Sequence, residues 1–237
     1  MKLLNKLLFY ISVPRCVGCG ERIEVNDIAL CSACKIEYED SKLRNCPRCA
    51  KMLPWCDCTN KHLDAHFIHR LIKVFRYSPK GRGQSNELIF SLKRDNRSDV
   101  LELLSRELSE AIRNNVDEPQ NYVFTSVPRR RKAIVKYGID HAELLASAVA
   151  KRLGAKYIKI LKSNVKSEQK KSNDSEARIK NADFSLRKGS PDLTHRKVIL
   201  IDDIVTTGAS MGRCAMVLKS AGADKIIGAT LAIAYKE

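Results

Sequence analysis

The chain has 237 residues, of which 44% are hydrophobic and 30% are charged, and its formal net charge is +16. This composition excludes wholesale disorder, and no apolar run approaches the ~20 residues that an integral membrane protein needs to span a bilayer. The positive charge predicts an anionic partner, either a nucleic acid or a polyphosphate, with a general solubility charge as the alternative. The length allows one full α/β domain and one small additional module.

The first residues, Met1 to Val13, predict a short amphipathic helix that packs on a neighbouring surface, with contact to a membrane surface as the alternative. Asn5 and Lys6 interrupt the apolar run, and no small-residue cleavage site follows. The segment therefore does not have the pattern of a signal peptide.

Eight of the nine cysteines lie between Cys16 and Cys58, in four pairs of which three have the spacing Cys-x-x-Cys. Two thiolates in such a turn can contact one ion, and tetrahedral Zn²⁺ needs two such turns. Sequential pairing predicts a double zinc-ribbon-like module with two structural zinc sites, formed by Cys16, Cys19, Cys31 and Cys34 and by Cys46, Cys49, Cys56 and Cys58. Disulfides, an iron–sulfur cluster and a redox Cys-x-x-Cys are the competing interpretations.

The second site is less regular, because Cys56-x-Cys58 departs from the usual spacing; His62 and His66 are alternative ligands that we do not favour. The module has few large apolar side chains, so metal binding is expected to contribute its folding free energy. Trp55 is expected to pack against it. The domain boundary is placed between Thr59 and His69, giving a module of residues 1–60 and a domain of residues 66–237.

The domain alternates between predicted strands and helices. Phe67–Tyr77 has the aromatic and β-branched composition of a strand, and apolar periodicity predicts helices at Gln84–Arg94 and Arg97–Asn114. The later predicted elements are the strand Tyr122–Val127, the helix Ala142–Leu153, the strands Tyr157–Leu161 and Val198–Asp202, the helix Ala209–Ala221 and the strand Lys225–Ala234. The alternation predicts an α/β fold with a mostly parallel sheet flanked by helices. Cys214 has the helical spacing of a buried core thiol.

Two basic segments interrupt this plan. The first contains Arg129, Arg130, Arg131 and Lys132, directly after the Tyr122–Val127 strand, where guanidinium groups can hold pyrophosphate or a nucleic-acid backbone. The second, Lys162–Lys180, is too long and too hydrophilic for a routine connection and predicts a mobile lid. A solvated face or a disordered surface loop is the alternative for each segment.

The most specific pattern lies at residues 198–210, where an apolar strand leads into Asp202 and Asp203. Open α/β sheets bind ligands at the carboxyl ends of their strands. The next residues offer hydroxyl groups and closely spaced backbone N–H groups at the start of a predicted helix, which suits a phosphate; they are Thr206, Thr207, Gly208, Ala209 and Ser210. A sugar-phosphate site is therefore predicted, with a buried strand and two helix-capping aspartates as the alternative. No Walker P-loop pattern is present.

These thirteen positions resemble the phosphoribosyl pyrophosphate (PRPP) motif of type I phosphoribosyltransferases. The resemblance implies that Asp202 and Asp203 hold the ribose hydroxyls, that residues 206–210 wrap the 5′-phosphate, and that Mg²⁺ accompanies the pyrophosphate. It implies PRPP binding and leaves transfer open, so no catalytic residue is assigned. Asp140 and His141 are weak candidates for a general base, since they should open the helix after the basic loop.

Together, the cysteine module and the PRPP motif resemble the ComF family of late competence proteins, the ComFC type, over nearly the whole chain. Further marks are Ser126-Val127-Pro128 with the arginine cluster, the segment Gly138–Ala146 and Leu92-Lys93, while Gln169, Arg178 and Phe184 match scattered positions. The chain departs from the family pattern at Ile139-Asp140-His141, where Phe-Asn-Gln is expected, and at Ile179, where Asn is expected.

The resemblance implies a cytoplasmic protein that handles single-stranded DNA during natural transformation and acts with the competence helicase ComFA. Two alternative functions remain open. One is a nucleobase salvage phosphoribosyltransferase, and the other is a non-catalytic regulator that binds PRPP.

Overall fold

A computed structural model of the protein describes residues 14–24, 27–77, 83–129, 134, 138–164 and 184–234. Its central sheet is built from β1 (Leu71–Arg76), β2 (Val123–Ser126), β3 (Lys156–Tyr157), β6 (Lys197–Val205) and β7 (Lys225–Ile233). The strand order is β1-β7-β6-β2-β3, and all four pairings are parallel. A separate antiparallel pair is formed by β4 (Leu161–Ser163) and β5 (Phe184–Leu186). The predicted α/β fold with a mostly parallel sheet is confirmed.

Six α-helices lie in the described part of the chain: α1 (Ser32–Lys42), α2 (Lys61–Asp64), α3 (Gln84–Arg94), α4 (Ser98–Arg113), α5 (His141–Arg152) and α6 (Ala209–Ser220). Short 3₁₀ turns occupy Leu53–Trp55 and Pro119–Asn121. Helices α3 to α6 match the predicted ones to within a residue or two. The predicted helix at Met1–Val13 lies outside the described residues.

Three predicted strands have different limits in the structure. The first, expected at Phe67–Tyr77, begins only at Leu71 and ends at Arg76. The expected strand Tyr157–Leu161 is divided, because the chain leaves the parallel sheet after Tyr157, opposite Phe124, and pairs antiparallel with Leu186 from Leu161 onward. The expected strand Val198–Asp202 continues to Val205, because β7 pairs with it beyond the point where β2 has ended.

Alternate side chains of β6 point to opposite faces of the sheet, as a strand covered on both faces requires. Ile199 and Ile201 pack in the core under α3, α4 and α5. Val198 and Leu200 pack on the other face with residues of α6, among them Cys214, which is fully buried as predicted. The two layers fix the direction of β6 and with it the position of the residues that follow its core.

The sheet has a topological switch point between β2 and β6. From β2 the chain continues through α5 to β3 on one side, and from β6 it continues through α6 to β7 on the other. The connections therefore diverge and leave a crevice at the carboxyl ends of β2 and β6, where open α/β sheets bind ligands. Arg129, Asp202 and Asp203 lie at this crevice.

The N-terminal cysteine module packs directly on the domain. Tyr38 of α1 is fully buried, and its ring makes an edge contact with Phe75 of β1 at a centroid distance of 5.9 Å. Lys42 Nζ lies 2.6 Å from Glu107 Oε2 of α4. The expectation that Trp55 packs against the module is wrong, because the Leu53–Trp55 turn buries Leu53 and leaves Trp55 48% exposed.

Within the described residues, no helix is both long enough and apolar enough to cross a membrane.

Candidate functional site

Asp203 is the most strongly held side chain of the crevice. It is buried, and its Oδ2 atom lies 3.0 Å from Lys93 Nζ of α3 and 2.9 Å from Arg129 Nη2, which follows β2. Its Oδ1 atom accepts a hydrogen bond of 2.7 Å from the backbone N–H of Ile204. Three elements that are distant in sequence therefore meet on one carboxylate.

The pKa values of the two neighbouring carboxyl groups are shifted in opposite directions. Burial alone would raise the pKa of Asp203, but the positive charges and hydrogen bonds of Lys93 and Arg129 outweigh burial and lower it. The pKa of Asp202 is raised well above its ordinary value by burial and by the negative charge of Asp203. Asp202, which accepts only the backbone N–H of Asp203 at 2.9 Å in the described part of the chain, is thus the carboxyl group of the pair that favours a proton.

The loop after β6 has the conformation and the support that a phosphate site needs. Gly208 has φ +82° and forms the N-cap of α6. A Cβ atom at this position would lie 2.7 Å from Leu63 Cγ, so both the backbone angle and the packing of α2 require glycine. The amide of Asn60, which precedes α2, donates to the Thr207 carbonyl at 3.5 Å.

The loop therefore rests on α2 and presents the start of α6, whose first-turn N–H groups have no acceptor within the helix. These groups and the helix dipole favour an anion. Thr206 and Ser210 are exposed on the same loop, and Thr207 is half-buried with its hydroxyl oxygen 3.3 Å from the Ala209 N–H.

The two weak candidates for a general base lie beside this crevice with different environments. Asp140 is the N-cap of α5, and its carboxylate accepts hydrogen bonds from the backbone N–H groups of Glu143 at 3.3 Å and Arg129 at 3.1 Å. His141 is 1% exposed, and its Nδ1 has no hydrogen-bond partner in the described part of the chain. Burial and the charge of Arg129 lower the pKa of His141, which keeps the imidazole neutral.

Lys93 is the crevice residue that the sequence analysis did not assign to a site. The Leu92-Lys93 pair resembles a family segment, but it does not predict that Lys93 contacts Asp203. Of the basic loop, Arg129 is placed by the structure, while Arg130, Arg131 and Lys132 lie outside the described residues. Of the predicted lid, only residues 162–164 are described, and Lys162 lies in β4.

The eight N-terminal cysteines form two clusters with the predicted membership. We call Cys16, Cys19, Cys31 and Cys34 the first cluster, and Cys46, Cys49, Cys56 and Cys58 the second cluster. In each cluster the four Sγ atoms lie within 4.8 Å of one another. The Sγ atoms of Cys19 and Cys31 are 3.8 Å apart, and those of Cys49 and Cys56 are 3.6 Å apart. Tetrahedral Zn²⁺ with Zn–S bonds of about 2.3 Å needs sulfur atoms about 3.8 Å apart, so both clusters fit zinc.

The first turn of each cluster is built in the same way. The N–H of Cys16 donates to the Glu21 carbonyl at 2.7 Å, and the N–H of Cys46 donates to the Lys51 carbonyl at 2.8 Å. Gly20 and Ala50 occupy the matching position with φ +78° and +58°. The turns also aim backbone N–H groups at a thiolate. Burial would raise the pKa of Cys46, but the N–H groups of Arg48 and Cys49 lower it to about 6, and similar N–H donors lower the pKa of Cys16 to about 7.

The second halves of the clusters differ. In the first cluster, Cys31 is the N-cap of α1 and Cys34 lies in its first turn. In the second cluster, Cys56 and Cys58 lie in an extended segment that runs beside β1, and the β1 residue Lys73 donates to the carbonyls of both. The histidines considered as alternative ligands belong to neither cluster. His62 and His66 stack on each other at a centroid distance of 4.3 Å and lie against Gly212 of α6.

Comparisons with known proteins agree with this architecture. A family model described as a phosphoribosyl transferase domain matches residues 139–236. The chain is 23% identical over 231 residues to competence protein ComFC of Streptococcus pneumoniae R6, with 90% of this chain and 96% of that protein covered.

Two solved structures are also similar. They are glutamine PRPP amidotransferase from B. subtilis (18% identity, TM-score 0.41, 62% of this chain and 30% of that chain covered) and purine phosphoribosyltransferase from Pyrococcus horikoshii (20% identity, TM-score 0.36, 56% and 71% covered). Because both TM-scores lie below 0.5, the fold assignment rests on the strand order and on the sequence match. The resemblance to the ComF family is confirmed, and the chain joins an N-terminal segment with two four-cysteine clusters to a region that matches the phosphoribosyl transferase domain model.

Proposed function

We propose that the crevice between β2 and β6 binds PRPP with Mg²⁺. The observation that carries this proposal is the buried carboxylate of Asp203 between Lys93 and Arg129, beside the glycine-capped start of α6. In this proposal Asp202 and Asp203 hold the ribose hydroxyls, and the segment Thr206–Ser210 holds the 5′-phosphate. Arg129 and its basic neighbours contact the pyrophosphate or a nucleic-acid backbone.

The test is calorimetric titration of the full chain with PRPP and, separately, with ribose 5-phosphate, each in the presence of Mg²⁺. We expect Asp202→Asn/Asp203→Asn to lower the affinity for both ligands by at least about tenfold, since charge-assisted hydrogen bonds contribute about 1.5–3 kcal/mol each. Asp192→Asn is the matched control, because Asp192 is exposed and caps Thr194 near the amino end of β6. Unchanged affinity in the double variant would contradict the assignment.

We also propose that the chain handles single-stranded DNA during natural transformation, in the cytoplasm and together with the helicase ComFA. The supporting observations are the net charge of +16, the similarity to ComFC, and the position of Arg129 at the crevice with Arg130, Arg131 and Lys132 following it in sequence. Positive charge concentrated beside a ligand site attracts a phosphodiester backbone.

The DNA proposal is tested by fluorescence anisotropy with a labelled single-stranded oligonucleotide over a range of salt concentrations. We expect Arg130→Ala/Arg131→Ala/Lys132→Ala to weaken binding and to reduce the salt slope by about 0.7 per lost phosphate contact. A charge-matched control is Lys156→Ala/Lys197→Ala/Lys225→Ala, whose exposed lysines begin β3, β6 and β7 at the opposite edge of the sheet. Equal weakening in both variants would indicate binding through net charge alone.

A nucleobase salvage phosphoribosyltransferase is the second candidate function, favoured by the match of the phosphoribosyl transferase domain to residues 139–236. It predicts release of pyrophosphate from PRPP with one base of a panel, and loss of that release in Asp202→Asn/Asp203→Asn. PRPP binding without pyrophosphate release in the presence of any base would instead favour a non-catalytic regulator.

We further propose that each cysteine cluster holds one structural Zn²⁺ and that the module spans residues 1–60 and the domain residues 66–237. All four ligand positions of each site are thiolates, which leaves no open position for chemistry. Elemental analysis of the purified chain should give two zinc ions per chain, and a value near one would remove the second site.

A further inference from the structure

Lys73 is a fully buried lysine among the apolar residues of a strand. It lies in β1 and is 0% exposed to solvent. Its ammonium group donates to three backbone carbonyls, those of Cys58 at 2.8 Å, Leu71 at 3.1 Å and Cys56 at 3.3 Å. Two of the three acceptors belong to ligand residues of the second cluster.

The three carbonyls satisfy the N–H groups of Lys73 but do not neutralise its charge. A buried ammonium group without an anionic partner carries a desolvation penalty of several kcal/mol. Within the described residues, no carboxylate lies within ion-pair distance of Lys73. The acidic groups that its charge reaches are the thiol of Cys56 and the carboxylate of Asp57, and Asp57 is already paired with Arg70 at 2.6 Å.

Zinc would change the charge of that cluster. Four thiolates around one Zn²⁺ carry a net charge of −2, and outer groups that donate to ligand residues hold the ligands in place and adjust the affinity for the metal. Lys73 is placed to do both, because it fixes the backbone of Cys56 and Cys58 and brings a positive charge to the cluster.

We propose that Lys73 is the charge-compensating and positioning residue of the second zinc site, so that zinc binding and the packing of β1 in the sheet stabilise each other. This inference rests on the proposed zinc. It makes the second site part of the phosphoribosyl transferase sheet, although its four ligands come from the N-terminal module.

The first cluster is the internal reference. Its Cys31 and Cys34 lie at the N-terminus of α1, where the helix dipole is positive, and Cys19 is exposed to water. A change at Lys73 should therefore affect one zinc ion of the two.

The first test measures zinc release into a chromogenic chelator from the full chain and from Lys73→Met, which keeps an unbranched side chain up to the ε position and removes the ammonium group. We expect one of the two zinc ions to leave at least about tenfold faster, as for other groups that support metal ligands, and the other to leave at the wild-type rate. Cys16→Ser/Cys19→Ser retains only the second zinc and identifies which phase belongs to it. Identical release from Lys73→Met and wild type would overturn the inference.

The second test asks whether the effect of Lys73→Met on thermal stability changes sign. With both clusters intact, or in Cys16→Ser/Cys19→Ser, the substitution should lower Tm. In Cys46→Ser/Cys49→Ser the second zinc site and its net negative charge are lost while the buried charge of Lys73 remains, so the same substitution should raise Tm. A lower Tm in all three backgrounds would mean that Lys73 acts through packing alone and would overturn the inference.

A third measurement uses no variant and remains informative if one of them fails to fold. Hydrogen exchange of the β1 amides is followed in wild-type chain with and without chelator. We expect β1 to lose protection when the second zinc is removed, while unchanged protection after removal of both zinc ions would contradict the coupling. A wild-type chain that contains no zinc would instead contradict the proposed zinc sites themselves.

Discussion

The two cysteine clusters begin with turns of the same geometry, but they are connected to the crevice by different elements. The first cluster lies against the start of α3, where a Cβ atom on Gly18 would meet the side chain of Gln84, and the last turn of α3 presents Lys93 to Asp203. The second cluster lies against β1, and the chain leads from it through Asn60 and Leu63 to the loop at Gly208. One local motif is thus used twice, once to support Lys93 and once to support the loop at Gly208.

The largest expected difference between the clusters is in global stability. Cys46→Ser/Cys49→Ser should lower the free energy of unfolding more than Cys16→Ser/Cys19→Ser, by about 3–5 kcal/mol, because it removes the anionic zinc site beside the buried charge of Lys73. Urea denaturation in the presence of zinc measures both variants. An equal loss in the two variants would remove the distinction between the clusters.

A second difference concerns two glycines, one at the loop beside α2 and one before α3. Gly208→Ala should cost about 1–2 kcal/mol for its left-handed backbone alone, and more for the contact with Leu63, and it should weaken ribose 5-phosphate binding. Gly83, before α3, has an extended backbone and open space around its Cβ position. Gly83→Ala is therefore the control, and it should change both the melting temperature and the affinity little.

The pH dependence of stability should report on the packing of α1, the helix that carries Cys34 of the first cluster, against α4. Burial raises the pKa of Glu107, the partner of Lys42 in α1, and outweighs the opposing charge of Lys42. Since the folded pKa lies above the unfolded value, this group favours the folded state at low pH, and stability falls as the pH rises through the folded pKa.

Glu107→Gln should remove that part of the slope. Denaturation is measured over the pH range in which the cysteine clusters keep their metal, with Asp117→Asn, at an exposed position after α4, as the control. A slope that persists unchanged in Glu107→Gln would show that the pH dependence arises elsewhere.

The smallest expected effect lies at the link from the second cluster to the phosphate loop. Asn60 accepts the Leu63 N–H at 2.9 Å as the N-cap of α2, and loss of an N-cap costs about 1 kcal/mol. Asn60→Ala should therefore weaken ribose 5-phosphate binding by no more than about fivefold. Asn121→Ala, at an exposed position before β2, should leave the affinity unchanged; equal effects would mean that Asn60 does not support the loop.

The parts of the site that the sequence predicts are those with a local rule. Asp202 and Asp203 follow an apolar strand, and the switch-point rule places such residues at the ligand edge. The cysteine pairs follow from their spacing, including the irregular Cys56-x-Cys58 pair. Helix α1 was not predicted, because a helix whose only buried residues are Cys34 and Tyr38 shows no apolar periodicity in its sequence.

Contacts between distant elements could not be predicted in this way. Lys93 lies in the last turn of a helix, where a basic residue is ordinary, and only the packing of α3 against the sheet brings it to Asp203. Lys73 gave a visible signal as a charge among the apolar residues of 71–75, but two of its partners are backbone carbonyls of another segment. Periodicity and spacing carry no information about such pairs.

The order of strands in the sheet has a consequence for the synthesis of the chain. Among the described strands, the first, β1, pairs with the last, β7, and with no other, at registers such as Leu71 with Gly228. Contacts of such high sequence separation form late, because the intervening chain must first be ordered. On the ribosome, β1 emerges long before its partner strand. The cysteine module emerges earlier still, so a zinc-filled second cluster would give the nascent β1 a docking surface until translation reaches β7.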